Sequence, residues 1–250
     1  MSAWIITIGD EILSGRVINW NAYWIAKRLS SMGIKVEKII CIPDDVDIIE
    51  KTIREGIKSN ITYIFTTGGL GPTPGDVTLE GISKATGRRL ELNKKALKYI
   101  RARYLELKNL GLVDRSDVDQ SRLKMAYTPE GADVVYNDVG VAPGVVITVG
   151  STTIFALPGV PSEAMYLFEK IVPRIRRGAQ LEVIEDFIDA SDESLIAGIL
   201  ARIRNIYPDV NIKTYPVGFG QRRMKILAIG HSRERILEAI EMLKKSIHDP

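Results

Sequence analysis

An α/β fold with a parallel sheet and right-handed crossovers is what this chain of 250 residues predicts, and two observations carry that reading. Short apolar, β-branched runs alternate with longer stretches of helical apolar spacing, and glycine- or proline-bearing turns leave the runs at their carboxyl ends. Trp4 to Ile8 reads as the first strand, broken by Gly9-Asp10-Glu11. Asn21 to Met32 carries apolar residues at Trp24, Ile25, Leu29 and Met32, a helical spacing that ends at Gly33, so the chain opens with a βα unit. Val36 to Ile42 reads as the second strand, Asp47 to Lys58 as an amphipathic helix capped by an acidic turn, and Ile61 to Phe65 as a buried third strand. A helical segment, Leu79 to Thr86, follows the next loop; Asn93 to Leu110 is a long amphipathic helix and Asp117 to Met125 a shorter one. Val134 to Tyr136, Gly144 to Val149 and Thr152 to Leu157 read as strands, the latter two joined by a hairpin at Gly150-Ser151. Ser162 to Val172 is a further helix, begun after Pro161 with Glu163 in its first turn.

A change of composition marks a boundary. Pro173 and the basic stretch Arg174 to Gln180 end that helix, and residues 1–178 are assigned to a first domain. Residues 181–250 form a small α+β module: Glu182 to Asp189 as strand, Asp192 to Ile206 as helix, Val210 to Val217 and Arg223 to Ile229 as strands, and Arg233 to Ile247 as helix. This βαββα order resembles half-ferredoxin or KH-like modules. Gly218-Phe219-Gly220 reads as its hairpin turn, and the module lacks the Gly-x-x-Gly clamp of an RNA-binding KH domain.

The ligand chemistry concentrates after the strands. Thr66-Thr67-Gly68-Gly69-Leu70-Gly71-Pro72-Thr73-Pro74-Gly75-Asp76 follows the third strand, and its glycines at 68, 69 and 71 let backbone N–H groups approach an anion closely, with phosphate the natural guest. Asp76 either holds a metal ion or caps the following helix. No lysine follows Gly71 as in a Walker loop, and the dinucleotide Gly-x-Gly-x-x-Gly spacing is absent. Asp10 and Glu11 follow the first strand at the edge where open α/β sheets bind ligands; as paired acids they suit metal or ribose contact, or a capping role. Asn137, Gly140, Pro143 and Gly144 make a third loop, and Leu157-Pro158-Gly159-Val160-Pro161-Ser162 a fourth whose helix N-terminus can receive a phosphate.

Composition narrows the classes. Hydrophobic residues at 45% and charged residues at 26% are ordinary for a globular protein, and a net charge of +3 with interspersed signs argues against nucleic-acid or membrane partners. The runs Arg174 to Arg177 and Arg222-Arg223 read as solvated faces. One cysteine, Cys41, excludes an internal disulfide and a cysteine metal cluster, and reads as a strand residue. The apolar runs fall far short of ~20 residues and the first strand starts without a basic leader, from which a cytoplasmic protein is expected. His231 and His248, in the small module, are poor candidates for a base or ligand.

Several ordered blocks resemble one family. Gly9-Asp10-Glu11, Thr67-Gly68-Gly69-Leu70-Gly71-Pro72-Thr73, Pro129-Glu130-Gly131-Ala132, Val139-Gly140-Val141-Ala142-Pro143-Gly144 and Leu157-Pro158-Gly159-Val160-Pro161-Ser162-Glu163 are similar to the amino-terminal domain of CinA proteins, in the molybdopterin-binding (MoaB/Mog-like) superfamily. The small module resembles the KH-type unit that follows that domain in CinA. The resemblance implies a three-layer α/β/α domain that binds a pterin or nucleotide phosphate and, in CinA-type members, a metal- and potassium-dependent pyrophosphatase acting on ADP-ribose. The chain departs from the pattern at Gly75, where CinA proteins usually carry the first of two aspartates, and at Asn19, where an aspartate is common before Asn21. There is no room for the nicotinamide-mononucleotide deamidase domain of full-length CinA.

On that basis Gly68, Gly69, Leu70, Gly71, Thr73, Gly140, Pro158, Gly159, Ser162, Lys124 and Asn21 are expected to contact phosphate or nucleotide. Asp10, Glu11 and Asp76 are expected to hold Mg²⁺ or a similar hard ion, with Asp76 and Glu11 catalytic and the ion polarising the phosphoryl oxygens for attack by water. Lys124, in a family-like Lys-Met-Ala block, either neutralises phosphate charge or is a surface lysine. Adenylyl transfer to, or carriage of, molybdopterin and a non-catalytic binding module are the competing expectations. A homo-oligomer is expected from the commonness of symmetric assembly in such domains.

Overall fold

The computed structural model describes residues 1–178, 181–190, 193–218 and 223–248 and divides into two compact units, one spanning 1–30 and 34–176, the other 31–33 and 177–250. In the first unit, β1 (Ser2–Ile8) leads into a short helix, α1 (Asp10–Leu13), then α2 (Trp20–Ser31). β2 (Lys35–Ile42), α3 (Val46–Lys58), β3 (Tyr63–Thr67), α4 (Thr78–Thr86), β4 (Leu90–Leu92), α5 (Lys94–Asn109), α6 (Gln120–Lys124) and β5 (Tyr127–Pro129) follow. The unit closes with β6 (Asp133–Val135), β7 (Gly144–Val149), β8 (Thr152–Leu157) and α7 (Pro161–Ile171).

The main sheet has the order β2-β1-β3-β8-β7-β6. β2, β1, β3 and β8 run parallel; β7 and β6 continue the sheet antiparallel. Alternation along the strands splits the core. Trp4, Ile6, Ile64 and Ile154 pack with Ile49 and Ile53 of α3 and Ile82 of α4. The opposite face carries Phe65 and Phe155, stacked at 5.0 Å, and Phe65 meets Phe168 of α7 at 5.5 Å, while Trp24 of α2 meets Phe168 edge-on at 5.3 Å. Helices on both faces make the expected three layers. Because Phe155 is fully buried under this aromatic stack, Phe155→Ala is expected to lower stability by about 3–5 kcal/mol, read as a shift of the urea unfolding midpoint.

The boundaries differ from expectation where tertiary pairing outranks local pattern. The third strand is Tyr63–Thr67, two residues later than the apolar run Ile61 to Phe65, because its pairs begin at Ala3↔Tyr63 and run to Thr7↔Thr67. The strand expected over Val134 to Tyr136 is Asp133–Val135, one residue earlier, because its pairs with β7 run from Asp133↔Val146 to Val135↔Gly144. The helix expected over Asp117 to Met125 forms only at Gln120–Lys124, since Asp119 caps it by accepting from the Arg122 N–H at 3.0 Å. β2 is a sheet edge and largely exposed, though Cys41 lies in it as expected. The two-stranded β4-β5 ribbon, Leu90–Leu92 with Tyr127–Pro129, is marked by no apolar run in the sequence.

In the second unit β9 (Glu182–Ile188), α8 (Glu193–Ile206), β10 (Asn211–Pro216), β11 (Met224–Gly230) and α9 (Arg233–His248) give the expected βαββα order, with an antiparallel sheet β10-β11-β9. Ile184, Ile188, Ile226 and Ala228 pack with Ile196 and Ile203 of α8 and Ile236 and Ile240 of α9. The expected turn at Gly218-Phe219-Gly220, the helix start at Asp192, and Gln180 and Arg222 of the basic runs lie at least partly outside the described residues.

Candidate functional site

The turns that leave β1, β2, β3 and β8 meet on one rim of the first unit, as they must where parallel strands share a direction. They enclose a cavity of about 620 Å³. The glycine loop supplies Gly68, Gly69, Leu70, Gly71 and Thr73; the β8–α7 turn supplies Pro158, Gly159 and Val160; the β6–β7 loop supplies Gly140, Val141 and Ala142.

Gly68 is the pivot of this arrangement. Its φ of +105° is hostile to any side chain, and an added Cβ would collide with the Ile8 carbonyl oxygen. Its N–H donates to Leu157 O at 3.1 Å and its carbonyl accepts from Thr78 Oγ1 at 2.8 Å, so the loop is pinned to β8 and to the first residue of α4. The N–H groups of Gly69, Leu70 and Gly71 have no hydrogen-bond acceptor among the described residues. Such unpaired donors on a glycine loop suit an anion.

Asp76 lines the cavity with Glu11. Its Oδ2 accepts from Thr73 N at 2.8 Å and Thr73 Oγ1 at 2.6 Å, and its carboxyl lies over Gly71, where a Cβ would meet it at 2.8 Å. It braces the loop across its own turn and does not cap α4, whose N-cap is Val77 without a side-chain bond. Glu11 stands in the first turn of α1, whose leading N–H, that of Asp10, donates to Asp44 Oδ2 at 3.2 Å.

Asp44 is a site residue that sequence reasoning missed. In sequence the acidic pair Asp44-Asp45 reads only as the cap of the following helix, and Asp45 does cap α3, accepting from Asp47 and Ile48 N–H at 2.9 Å. Asp44 instead lines the cavity. Burial, reinforced by the charges of Glu11, Asp10 and Asp76, raises its proton affinity against the pull of the Asp10 N–H. Its position after a parallel strand was the available signal.

Four other expected contacts fall outside the cavity wall. Asp10 is exposed on α1, with its backbone turned to Asp44. Asn21 is buried as a strap: its Nδ2 donates to Thr67 Oγ1 at 2.7 Å and to Gly159 O at 2.8 Å. Lys124 Nζ donates to the carbonyls of Thr73 at 2.8 Å and Pro74 at 3.3 Å, so it clamps the loop from outside. α7 turns Glu163 and the preceding Val160 to the cavity and leaves Ser162 exposed between them. Tyr104 and Met125, from α5 and the end of α6, complete a wall that helical patterning did not reveal.

The lining carries four carboxyls, Glu11, Asp44, Asp76 and Glu163, and no lysine or arginine among the described residues. A free phosphate would be repelled there unless a cation came with it. No three His, Cys, Asp or Glu side chains are gathered closely enough to hold a metal among the described residues. The donor set nevertheless fits magnesium, which commonly takes only one or two carboxylates and completes its shell with water and ligand phosphate.

A glycine-walled cavity at the carboxyl ends of parallel strands defines an α/β small-ligand-binding domain. More narrowly, the chain belongs to the MoCF_biosynth family, described as "Probable molybdopterin binding domain", whose model matches residues 4–177. A protein of Pyrococcus furiosus is 39% identical over 246 residues, covering 98% of this chain and 96% of that one. A protein of Aeropyrum pernix is 35% identical over 260 residues, with 99% and 94% covered. Among solved structures, the CinA protein of unknown function from Thermoplasma acidophilum is 35% identical with a TM-score of 0.61, covering 70% of this chain and 98% of that one. The family and fold expected from the sequence blocks are those found. No helix among the described residues is long and apolar enough to cross a membrane.

Proposed function

We propose that the first unit binds a nucleotide or pterin diphosphate together with a divalent cation and hydrolyses the phosphoric anhydride of ADP-ribose or a related dinucleotide. The observation that carries the reading is the pairing, among the described residues, of unpartnered glycine-loop N–H groups with a lining of carboxyls devoid of basic side chains. The N–H groups of Gly69, Leu70 and Gly71 receive phosphate oxygens, while Asp76 and Glu11 hold the cation. When bound, that ion neutralises phosphoryl charge and favours attack by water. Asp76 keeps the loop in its receiving shape through Thr73, and Lys124 backs the same turn. In the reaction a water oxygen bonds to one phosphorus as the bridging oxygen leaves on the other phosphate, giving AMP and ribose 5-phosphate from ADP-ribose.

The test is a panel of Mg²⁺, Mn²⁺, Co²⁺ and no metal, with and without K⁺, against ADP-ribose, FAD and NAD, read as AMP release. Metal-dependent AMP from at least one dinucleotide is expected. No turnover on any of them would overturn hydrolysis. The family description favours a second reading, carriage or adenylylation of molybdopterin. It expects pterin fluorescence to copurify with the protein.

A further inference from the structure

Glu163 is unexplained by phosphate binding. An acid at the wall of an anion site opposes the guest, yet this one is built in with unusual care. Its Oε2 accepts from Asn137 Nδ2 at 2.6 Å, and the same amide nitrogen donates to Ala142 O at 3.0 Å. Asn137 is fully buried and is fixed through its backbone, its N–H donating to Tyr99 Oη at 3.1 Å and its carbonyl accepting from that hydroxyl. Arg103 Nε donates to Gly140 O at 3.0 Å and fixes the neighbouring loop. Residue 140 must be glycine for the pair to close, because a Cβ there would collide with Glu163 Oε2 and lie 2.6 Å from Asn137 Nδ2. The other oxygen, Oε1, receives no hydrogen bond among the described residues. Burial raises the proton affinity of this carboxyl, opposed by the Asn137 amide and the Arg103 charge. A half-buried carboxylate that is short of donors gains most from a ligand that brings one.

We propose that Glu163 is the specificity residue of this cavity, accepting through Oε1 a hydrogen bond from an O–H or N–H group of the ligand outside its diphosphate. Asn137 selects which oxygen faces the guest and Gly140 gives the pair its seat. A ribose hydroxyl and an amino-bearing heterocycle offer the same donor chemistry; a fully ionised, magnesium-bound diphosphate offers none. The proposal rests on the diphosphate reading of the cavity above.

The experiment measures binding to the full chain by calorimetry with Mg²⁺ present, using pyrophosphate, ADP, 2′,3′-dideoxy-ADP and 6-hydroxymethylpterin phosphate. Glu163→Gln is near-isosteric, and the Asn137 Nδ2 donor will draw the new carbonyl oxygen, placing an NH₂ group where Oε1 stood. Donor-bearing ligands are therefore expected to bind at least tenfold more weakly to Glu163→Gln, while pyrophosphate binds as well or better. A loss for ADP but not for its dideoxy form identifies the ribose as the donor in the nucleotide, and an equal loss for both identifies its ring; a loss for the pterin identifies the ring donor of that ligand. Glu163→Asp, which keeps the charge but withdraws it by one methylene, is expected to lose the same ligands. If Glu163→Gln tightens every ligand alike, the residue acts only as a charge and the proposal falls. If pyrophosphate fails to bind the unmodified chain, the diphosphate reading itself falls, a result separable from the first.

Discussion

The Asp76→Asn substitution is expected to lower kcat/KM for the best dinucleotide about 100-fold, equal to ~2.7 kcal/mol of transition-state stabilisation, without lowering the melting temperature. The reason lies in the bracing its carboxyl performs and in the cation role proposed for it. As a brace it needs only an oxygen to accept from Thr73 N and Thr73 Oγ1, which an asparagine still provides. In the proposed role of cation ligand beside Glu11 it would need its charge, which asparagine lacks. Asp76→Ala removes both and is expected to lose at least as much activity, whereas Glu193→Ala, on α8 of the second unit, leaves it unchanged. Wild-type turnover by Asp76→Asn would reduce Asp76 to a loop brace.

Gly68→Ala is expected to be the most damaging single methyl group in the site. A positive φ of +105° costs an L-residue about 1–2 kcal/mol, and the methyl would drive into the Ile8 carbonyl oxygen, where only backbone can yield. The sum is about 3 kcal/mol or more, seen as a fall of roughly 6–12 °C in melting temperature. Gly87→Ala is the fair comparison. Gly87 also has a positive φ, +67°, at the carboxyl end of α4, but an added Cβ meets nothing within 4 Å, so only the conformational cost of about 1 kcal/mol applies. Equal melting temperatures for the two variants would show that the Gly68 contact is readily relieved.

The rim was legible because its determinants are local. Glycines after apolar runs announce both the strand ends and the turns, and parallel order brings those turns to one edge, so Gly68, Gly69, Leu70, Gly71, Pro158 and Gly159 come together as expected. What escaped depends on side-chain direction, which spacing does not encode. Asn21 and Lys124 lie close to the right loops but point at carbonyl groups behind them. Asp44 and Asp45 look alike in sequence, yet one caps a helix and the other faces the cavity. Glu163 reads as a favourable acid in a first helical turn, and only the fold brings it to the buried amide of Asn137, 26 residues away, which fixes its side chain at the cavity wall.

The Asn21 strap has a consequence for how relatives of this domain can diversify. One amide ties the end of β3 to the β8–α7 turn, with Thr67 Oγ1 also donating to Pro158 O at 2.9 Å, so these two walls cannot be spread apart separately. The aperture between them is in effect riveted. Room for a bulkier or slimmer form of the proposed ligand would therefore come from the opposite side, by repacking Tyr104, Met125 and Val141 within the small core they share with α5, which leaves the rivet intact.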